Sequence, residues 1–308
     1  METNILLESG TNELEILEFI VGQNHYGINV AKIREILPYQ VPTEIPNSHE
    51  CIEGIFMPRE DIITVINLYR VLGIKPFDTT GSDMYIVTNF NQLNIAFHVS
   101  SVIGITRISW TEITKPDASI SNSRTGIATG IFKKDGKLIV ILDFERIVSD
   151  ISPETGLKMS EIDSLGVRER NDTPIIIAED SPLLSKLMHD ALTKAGYTTV
   201  TMTNNGKECY DQLCLYKQEG ILSQRAKLVI TDIEMPQMDG HHLCKLIKDD
   251  PELKVLPVVI FSSLVNDQMR RKGESVGADF QLSKPEIGQL VQTVDKLIIE
   301  YADVNKDK

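Results

Sequence analysis

From about residue 174 onward the chain alternates short apolar runs with one-sided helical stripes, and this alternation limits the possible folds more tightly than any other feature. Ile175–Ala178, Thr198–Met202, Leu228–Thr231, Val258–Phe261 and Asp279–Leu282 read as strands. Between the first two, Pro182 at a first helical turn leads into Leu184, Leu187, Met188, Ala191 and Leu192, a stripe on one face closed by Gly196. Ile287, Leu290, Val291, Val294, Leu297 and Ile298 repeat the stripe near the end of the chain. Units of about 25 residues that each pair a strand with a helix predict a doubly wound parallel sheet with helices on both faces. Ligands of such sheets bind at the carboxyl ends of the strands.

The residues at those ends carry matched chemistry. Glu179 and Asp180 follow the first strand, Asp232 follows Leu228–Thr231, Ser262 follows Val258–Phe261, and Lys284-Pro285 follows the last strand. An acid at one strand end is more often a solvated loop residue or a helix cap than a reactive group. Several strand ends carrying acids, a hydroxyl and a lysine fit magnesium-dependent phosphorylation, which needs a nucleophilic oxygen, a divalent cation and positive charge to balance the adduct. Asp232 is the expected nucleophile. Asp180 and Asp232 are expected to bind Mg2+ directly, with the Glu234 backbone carbonyl as a third ligand and Glu179 in the outer shell. Ser262 and Lys284 are expected to hold the phosphoryl oxygens. Asp180 or Ser181 could also cap the helix that begins at Pro182, and Asp239-Gly240 reads as a turn.

The first 150 residues have a different period. β-branched segments broken by Gly22-Gln23-Asn24, Pro58-Arg59-Glu60-Asp61 and Asp135-Gly136 predict an all-β domain. An internal repeat supports this. Gly54-Ile55-Phe56 and Ile62–Arg70 align without a gap on Gly130-Ile131-Phe132 and Leu138–Arg146, and Phe19-Ile20-Val21 matches Tyr85-Ile86-Val87 more weakly. Two copies of about 65 residues predict twin small β barrels, whose closure removes exposed strand edges. The expected division is a β domain over 1–150, a linker over 151–173 carrying Pro153, Gly156 and Gly166 with a short helix around Met159–Leu165, and the α/β domain over 174–308.

Composition excludes several classes. The 308 residues suffice for about two domains. The net charge is −13; residues 1–173 carry −9 (15 basic, 24 acidic) and residues 174–308 carry −4 (16 basic, 20 acidic), so neither half offers the basic surface that nucleic acid or an anionic membrane requires. No apolar stretch approaches the roughly 18 residues of a membrane span, and Ile5-Leu6-Leu7 is flanked by acids, unlike a signal peptide. A cytoplasmic protein is expected. Cys51, Cys209, Cys214 and Cys244 form no CxxC pair and are expected to be reduced and mostly buried. The six histidines show no metal-ligand spacing.

With Glu179-Asp180, Asp232 inside Asp-x-x-Met-Pro-x-Met-Asp-Gly, Ser262 and Lys284-Pro285, residues 174–305 resemble a flavodoxin-like response-regulator receiver domain. The resemblance implies that Asp232 takes phosphate from a kinase phosphohistidine and that the Lys284–Pro285 peptide is cis. One position departs from the family pattern: Gln281 stands where an aromatic switch residue is usual.

Residues 14–150 resemble the CheW-like coupling domain of bacterial chemotaxis, a pair of small SH3-like barrels. The resemblance is carried by Phe19-Ile20-Val21 through Tyr26-Gly27-Ile28, Val30 through Ile36, and Gly54-Ile55-Phe56-Met57-Pro58-Arg59 through Leu68. Glu60 stands where that family usually has glycine. A coupling domain followed by a receiver resembles the CheV family. That resemblance implies an adaptor that links methyl-accepting receptors to the histidine kinase CheA and is regulated through Asp232, with Ile33, Glu35 and Arg59 at the partner surface. It also implies residence at receptor arrays on the inner face of the membrane. Two alternatives remain: a phosphate sink for the kinase, and, more remotely, a metal-dependent phosphohydrolase with Glu234 in place of its second acid.

Overall fold

The computed structural model describes residues 12–75, 82–90, 93–116, 126–152, 160–264 and 267–304. Ile5-Leu6-Leu7, Pro153, Gly156 and Met159 lie outside them. The described residues form two compact units, one from Leu14 to Ser152 and the other from Ser160 onward, to which Asn12 and Glu13 belong.

Among the described residues the first unit contains ten strands and two short α-helices: β1 (Glu13–Val21), β2 (Asn24–Asn29), β3 (Ile33–Pro38), β4 (Ile52–Phe56), β5 (Ile63–Asn67), α1 (Leu68–Val71), β6 (Met84–Phe90), β7 (Leu93–Val99), β8 (Ser101–Ser109), β9 (Ala128–Lys134), β10 (Lys137–Leu142) and α2 (Phe144–Ile151). They make two five-stranded SH3-like sheets, ordered β8-β1-β2-β10-β9 and β3-β6-β7-β5-β4. The two orders match strand for strand under the sequence repeat, which pairs β1 with β6 and β4–β5 with β9–β10. Neither sheet, however, is one copy of the repeat. Each takes strands from both copies, because its two antiparallel hairpins are joined by a parallel pair, β2 with β10 in one and β5 with β7 in the other. A parallel pair cannot be closed by a tight turn, so its partners come from distant segments.

The repeat reaches down to single caps. Asn67 and Asp143 occupy the same place after β5 and β10, and their side chains accept the Arg70 and Arg146 amides at 3.2 and 2.9 Å to start α1 and α2. Phe19, Ile66, Leu68, Ile86, Phe97 and Phe144 are buried in one core shared by the two sheets. The Phe97 and Phe144 rings meet edge to face with centroids 4.6 Å apart.

The second unit contains α3 (Ser160–Asp163), β11 (Ile175–Ala178), α4 (Pro182–Lys194), β12 (Val200–Thr203), α5 (Gly206–Gln218), α6 (Leu222–Arg225), β13 (Leu228–Thr231), α7 (Gly240–Asp249), β14 (Val258–Ser262), α8 (Asp267–Ser275), β15 (Phe280–Ser283) and α9 (Ile287–Val304). The strands form one parallel sheet in the order β12-β11-β13-β14-β15, as the alternating pattern requires. Successive residues of a strand point to opposite faces. Ile175, Ile177, Leu228, Ile230, Val259 and Phe261 pack under α4 and α9, whereas Ile176, Ala178, Val229 and Val258 pack under α5 and α7. Burial on both faces explains why the central strands are unbroken apolar runs.

Two details differ from expectation. β12 begins at Val200 rather than Thr198, because the Thr198 amide donates to the Asn171 carbonyl (3.1 Å) in a short parallel bridge. The polar segment around α3 is also not bare connection: Ile162 is 2% exposed within the core beneath α4 and α9. Cys51, Cys209 and Cys244 are buried, Cys214 is half-buried, and no two of them are bonded. Among the described residues no helix is long and apolar enough to cross a membrane.

Candidate functional site

The carboxyl ends of β11 and β13 bring three acids together. Glu179, Asp180 and Asp232 each offer an oxygen within 4.8 Å of the others. Asp232 is 8% exposed, and its two oxygens have different surroundings. Oδ1 accepts the Ile233 amide at 2.7 Å, and Oδ2 lies 3.1 Å from Lys284 Nζ. The buried Lys284 ammonium also donates to Glu179 Oε2 at 2.9 Å. Glu179 Oε1 accepts the Ser181 amide at 3.1 Å, so both oxygens of Glu179 are engaged within the fold. Ser181 Oγ in turn accepts the Leu184 amide at 3.4 Å, making Ser181 the cap of α4.

Each position has a local cause. β13 is fully buried and ends at Thr231, so Asp232 emerges where the sheet stops, and its amide still donates to Ala178 O on β11 at 3.0 Å. Asp239 caps α7 by accepting the His242 amide at 2.8 Å, which turns the chain back toward the strand end. Gly240 then passes so close that a Cβ there would stand 1.9 Å from the Asp232 carbonyl oxygen. The expected turn at Asp239-Gly240 is therefore also what packs α7 onto the acid. Ser262 is buried at the end of β14, and Lys284 follows β15 with a cis Lys284–Pro285 peptide. Glu234 lies in the β13–α7 connection, outside the side-chain cluster. Asn12, which no sequence signal marked, brackets that connection: its Nδ2 donates to Gln237 O at 2.8 Å and its Oδ1 accepts the Asp239 amide at 3.0 Å.

The electrostatics ask for a cation. Burial pushes the Glu179 carboxyl up, to about 8; Lys284 opposes the shift, while Asp232 and Asp180 add to it. Three carboxylates face one ammonium, so the cluster is short of positive charge. An all-oxygen donor set of this kind fits a hard divalent cation.

Gln281 on β15 donates from Nε2 to Arg270 O on α8 at 2.7 Å, so the position usual for an aromatic ring is here a polar tie. In the first unit, Arg59 Nη2 donates to Glu35 Oε2 at 3.3 Å beside a second pair, Arg34 with Asp61 at 3.1 Å. Ile33 is half-buried and packs on the core. Met57 and Ile62, on the β4–β5 connection that carries Arg59, are 62% and 67% exposed.

Two family models match: the CheW-like domain over residues 15–152 and the response regulator receiver domain over residues 175–295. A strand-end acid cluster on a receiver sheet, joined to a CheW-like domain, defines a two-domain signalling protein. The chain is 30% identical over 304 residues to the chemotaxis protein CheV3 of Helicobacter pylori, covering 94% of this chain and 96% of that protein. It is 28% identical over 289 residues to CheV2 of the same organism (89% and 90% covered), and 28% identical over 151 residues to the chemotaxis protein CheW of Thermotoga maritima (49% and 98% covered). The chain belongs to the CheV family of chemotaxis proteins.

Proposed function

We propose that the protein is a chemotaxis coupling scaffold whose CheW-like domain links methyl-accepting receptors to the kinase CheA, and whose receiver domain regulates that link through phosphorylation of Asp232. The observation that carries this reading is the asymmetry of Asp232, with one oxygen held by a backbone amide and the other facing the Lys284 ammonium.

In the phosphorylation step Asp232 Oδ2 attacks phosphorus, a new O–P bond forms, and the donor's leaving group departs with the bonding electrons. Lys284 transfers its hydrogen bond from Oδ2 to a phosphoryl oxygen, and the Ser262 hydroxyl donates to another. Glu179 keeps its hydrogen bond to the Lys284 ammonium while the lysine moves. Asp180, Asp232 and the Glu234 backbone carbonyl are the residues that would hold Mg2+, which when bound supplies positive charge to gather the phosphoryl oxygens. The protein works as an adaptor rather than a turnover enzyme. At the partner surface we place Glu35 and Arg59, flanked by the exposed Met57 and Ile62, with Ile33 supporting them from the core.

Incubation with Mg2+ and a small phosphodonor is expected to label the native protein and not Asp232→Asn, and label retained in that variant refutes the site. Reconstitution with receptor and CheA then tests the output. Asp232→Asn is expected to change receptor-stimulated kinase activity with no other receiver present, whereas unchanged activity indicates a sink. Sustained turnover of a phosphomonoester indicates a hydrolase.

A further inference from the structure

The segment that leads the chain into the receiver is fastened to the helix that starts behind Lys284. α9 begins at Ile287, and its first amides lack intrahelical acceptors. Glu161 on α3 supplies one: its Oε2 accepts the Gly288 amide at 3.0 Å, four residues beyond Lys284. The fit is close, since a Cβ on Gly288 would stand 3.2 Å from the Glu161 Cβ. A carboxylate at this end of an 18-residue helix also faces the positive end of its dipole. Next to Glu161, Ile162 is buried against Ile287, Leu290 and Val291. Further along, Arg168 donates to Ala195 O at 2.8 Å and to Asp295 Oδ1 on α9 at 2.5 Å, and Asp163 pairs with Lys194 of α4 at 2.5 Å. The stretch from Glu161 to Arg168 is thus fastened to α9, to α4 and to Ala195 just beyond α4.

The alternative path from the strand ends, through residue 281, is differently equipped. The Gln281 amide is tied to the Arg270 carbonyl, and turning it into the core would leave a polar group without a partner. Lys284, by contrast, is the group that must move when Asp232 is phosphorylated, and it is joined covalently to the start of α9.

We propose that α3 is the relay by which the receiver's state reaches the chain ahead of it, with Glu161 as the positioning residue. The inference rests on the phosphorylation reading above. When Lys284 leaves Asp232 Oδ2 for a phosphoryl oxygen, the peptide from Lys284 to Gly288 shifts, the Glu161 cap is weakened or strengthened, and α3 reseats. α3 is the first described element that follows α2 along the sequence, so its seating is what the CheW-like domain is tethered to.

The test is hydrogen–deuterium exchange on the full chain, with and without Mg2+ and beryllofluoride as the acyl-phosphate mimic, read on peptides covering 160–171 and 286–290. The adduct is expected to change exchange in both regions by about threefold or more, the scale of losing or gaining part of one charge-assisted hydrogen bond. Glu161→Ala should abolish the adduct-dependent change at 160–171 while leaving Asp232 labelling by a small phosphodonor within about twofold of native. Glu161→Gln, which keeps an acceptor, should restore part of it. A merely structural Glu161 would shift exchange equally with and without the adduct, and that result overturns the relay. Labelled protein with unchanged exchange at 160–171 also overturns the relay and leaves the phosphorylation reading standing. Failure of native protein to label at Asp232 overturns both.

Discussion

Replacing Gly240 by alanine tests whether α7 and Asp232 are as tightly joined as the geometry requires. The added methyl would stand 1.9 Å from the Asp232 carbonyl oxygen, 2.9 Å from its carbonyl carbon and 3.0 Å from Thr231 Oγ1. Ordinary contact needs about 3.3 Å or more, so helix and strand end must part by roughly 1.4 Å, and the nearest obstacle is backbone that cannot swing aside. Overpacking of this kind costs about 3 kcal/mol. Better helix propensity and a stiffer unfolded chain return about 1 kcal/mol, because the backbone at Gly240 is not among those with positive φ. The net expectation is a loss of about 2 kcal/mol, read as a fall of about 4–8 °C in the receiver transition or a matching shift in urea midpoint. Labelling should suffer more than stability, since a displacement of about 1 Å at the nucleophile can slow transfer about a hundredfold. A variant within about 0.5 kcal/mol of native that labels at the native rate would show that the connection has slack and that α7 does not position Asp232.

Other outcomes follow from the first unit. His98 lies between Glu53 (2.8 Å) and Asp83 (3.0 Å); burial alone would lower its pKa, but these partners outweigh burial and hold it above 6.5, while Glu53, which burial would raise, is held below 4.5 chiefly by His98. The histidine contribution is complete below about pH 6.5 and is lost as pH rises through the raised value; the Glu53 contribution is complete above about 4.5 and is lost on acidification. Native protein should therefore lose stability as pH rises above about 6.5 relative to His98→Gln, and parallel urea-midpoint curves would refute the assignment. Arg59→Ala removes an ion pair whose arginine side chain is 74% exposed, so stability should change by under about 0.5 kcal/mol and any loss of co-sedimentation with receptor–kinase arrays reports contact rather than unfolding. Asp143→Ala should cost about 1 kcal/mol as a lost cap, and Asn67→Ala more, because Asn67 Nδ2 also donates to Glu53 at 3.1 Å; equal denaturation midpoints would show that the second bond is idle.

How much of this was legible in the sequence depended on the range of the signal. The receiver sheet could be read because burial on both faces makes each central strand a local apolar run, and because every site residue follows such a run directly. Asp180, Asp232 and Lys284 needed no long-range information to be placed at one edge. The seating of α3 could not be read in the same way: one buried residue, Ile162, among polar neighbours has no period, and Gly288, the partner of the adjacent Glu161, lies 127 residues away from it. Arg168 and Asn171 likewise look like linker residues until Asp295 and Tyr197 are brought beside them.

The first unit separates what a repeat can show from what it hides. Similar segments fold similarly, so the matched hairpins, the matched caps at Asn67 and Asp143 and the matched sheet orders were all implied by the alignment of one copy on the other. The exchange of strands was not, because the register that decides it pairs Tyr26 with Val140, far beyond any turn signal. The exchange has a physical consequence. In a simple tandem, α2 would pack on the second sheet alone. Here β10 leads into α2, whose Phe144, Ile147 and Val148 are buried in the core that both sheets share. Phe144 of α2 meets the ring of Phe19 from one sheet and the ring of Phe97 from the other. If α3 relays the receiver's state, the strand exchange is what lets a single covalent tether act on the whole coupling domain rather than on its nearer half.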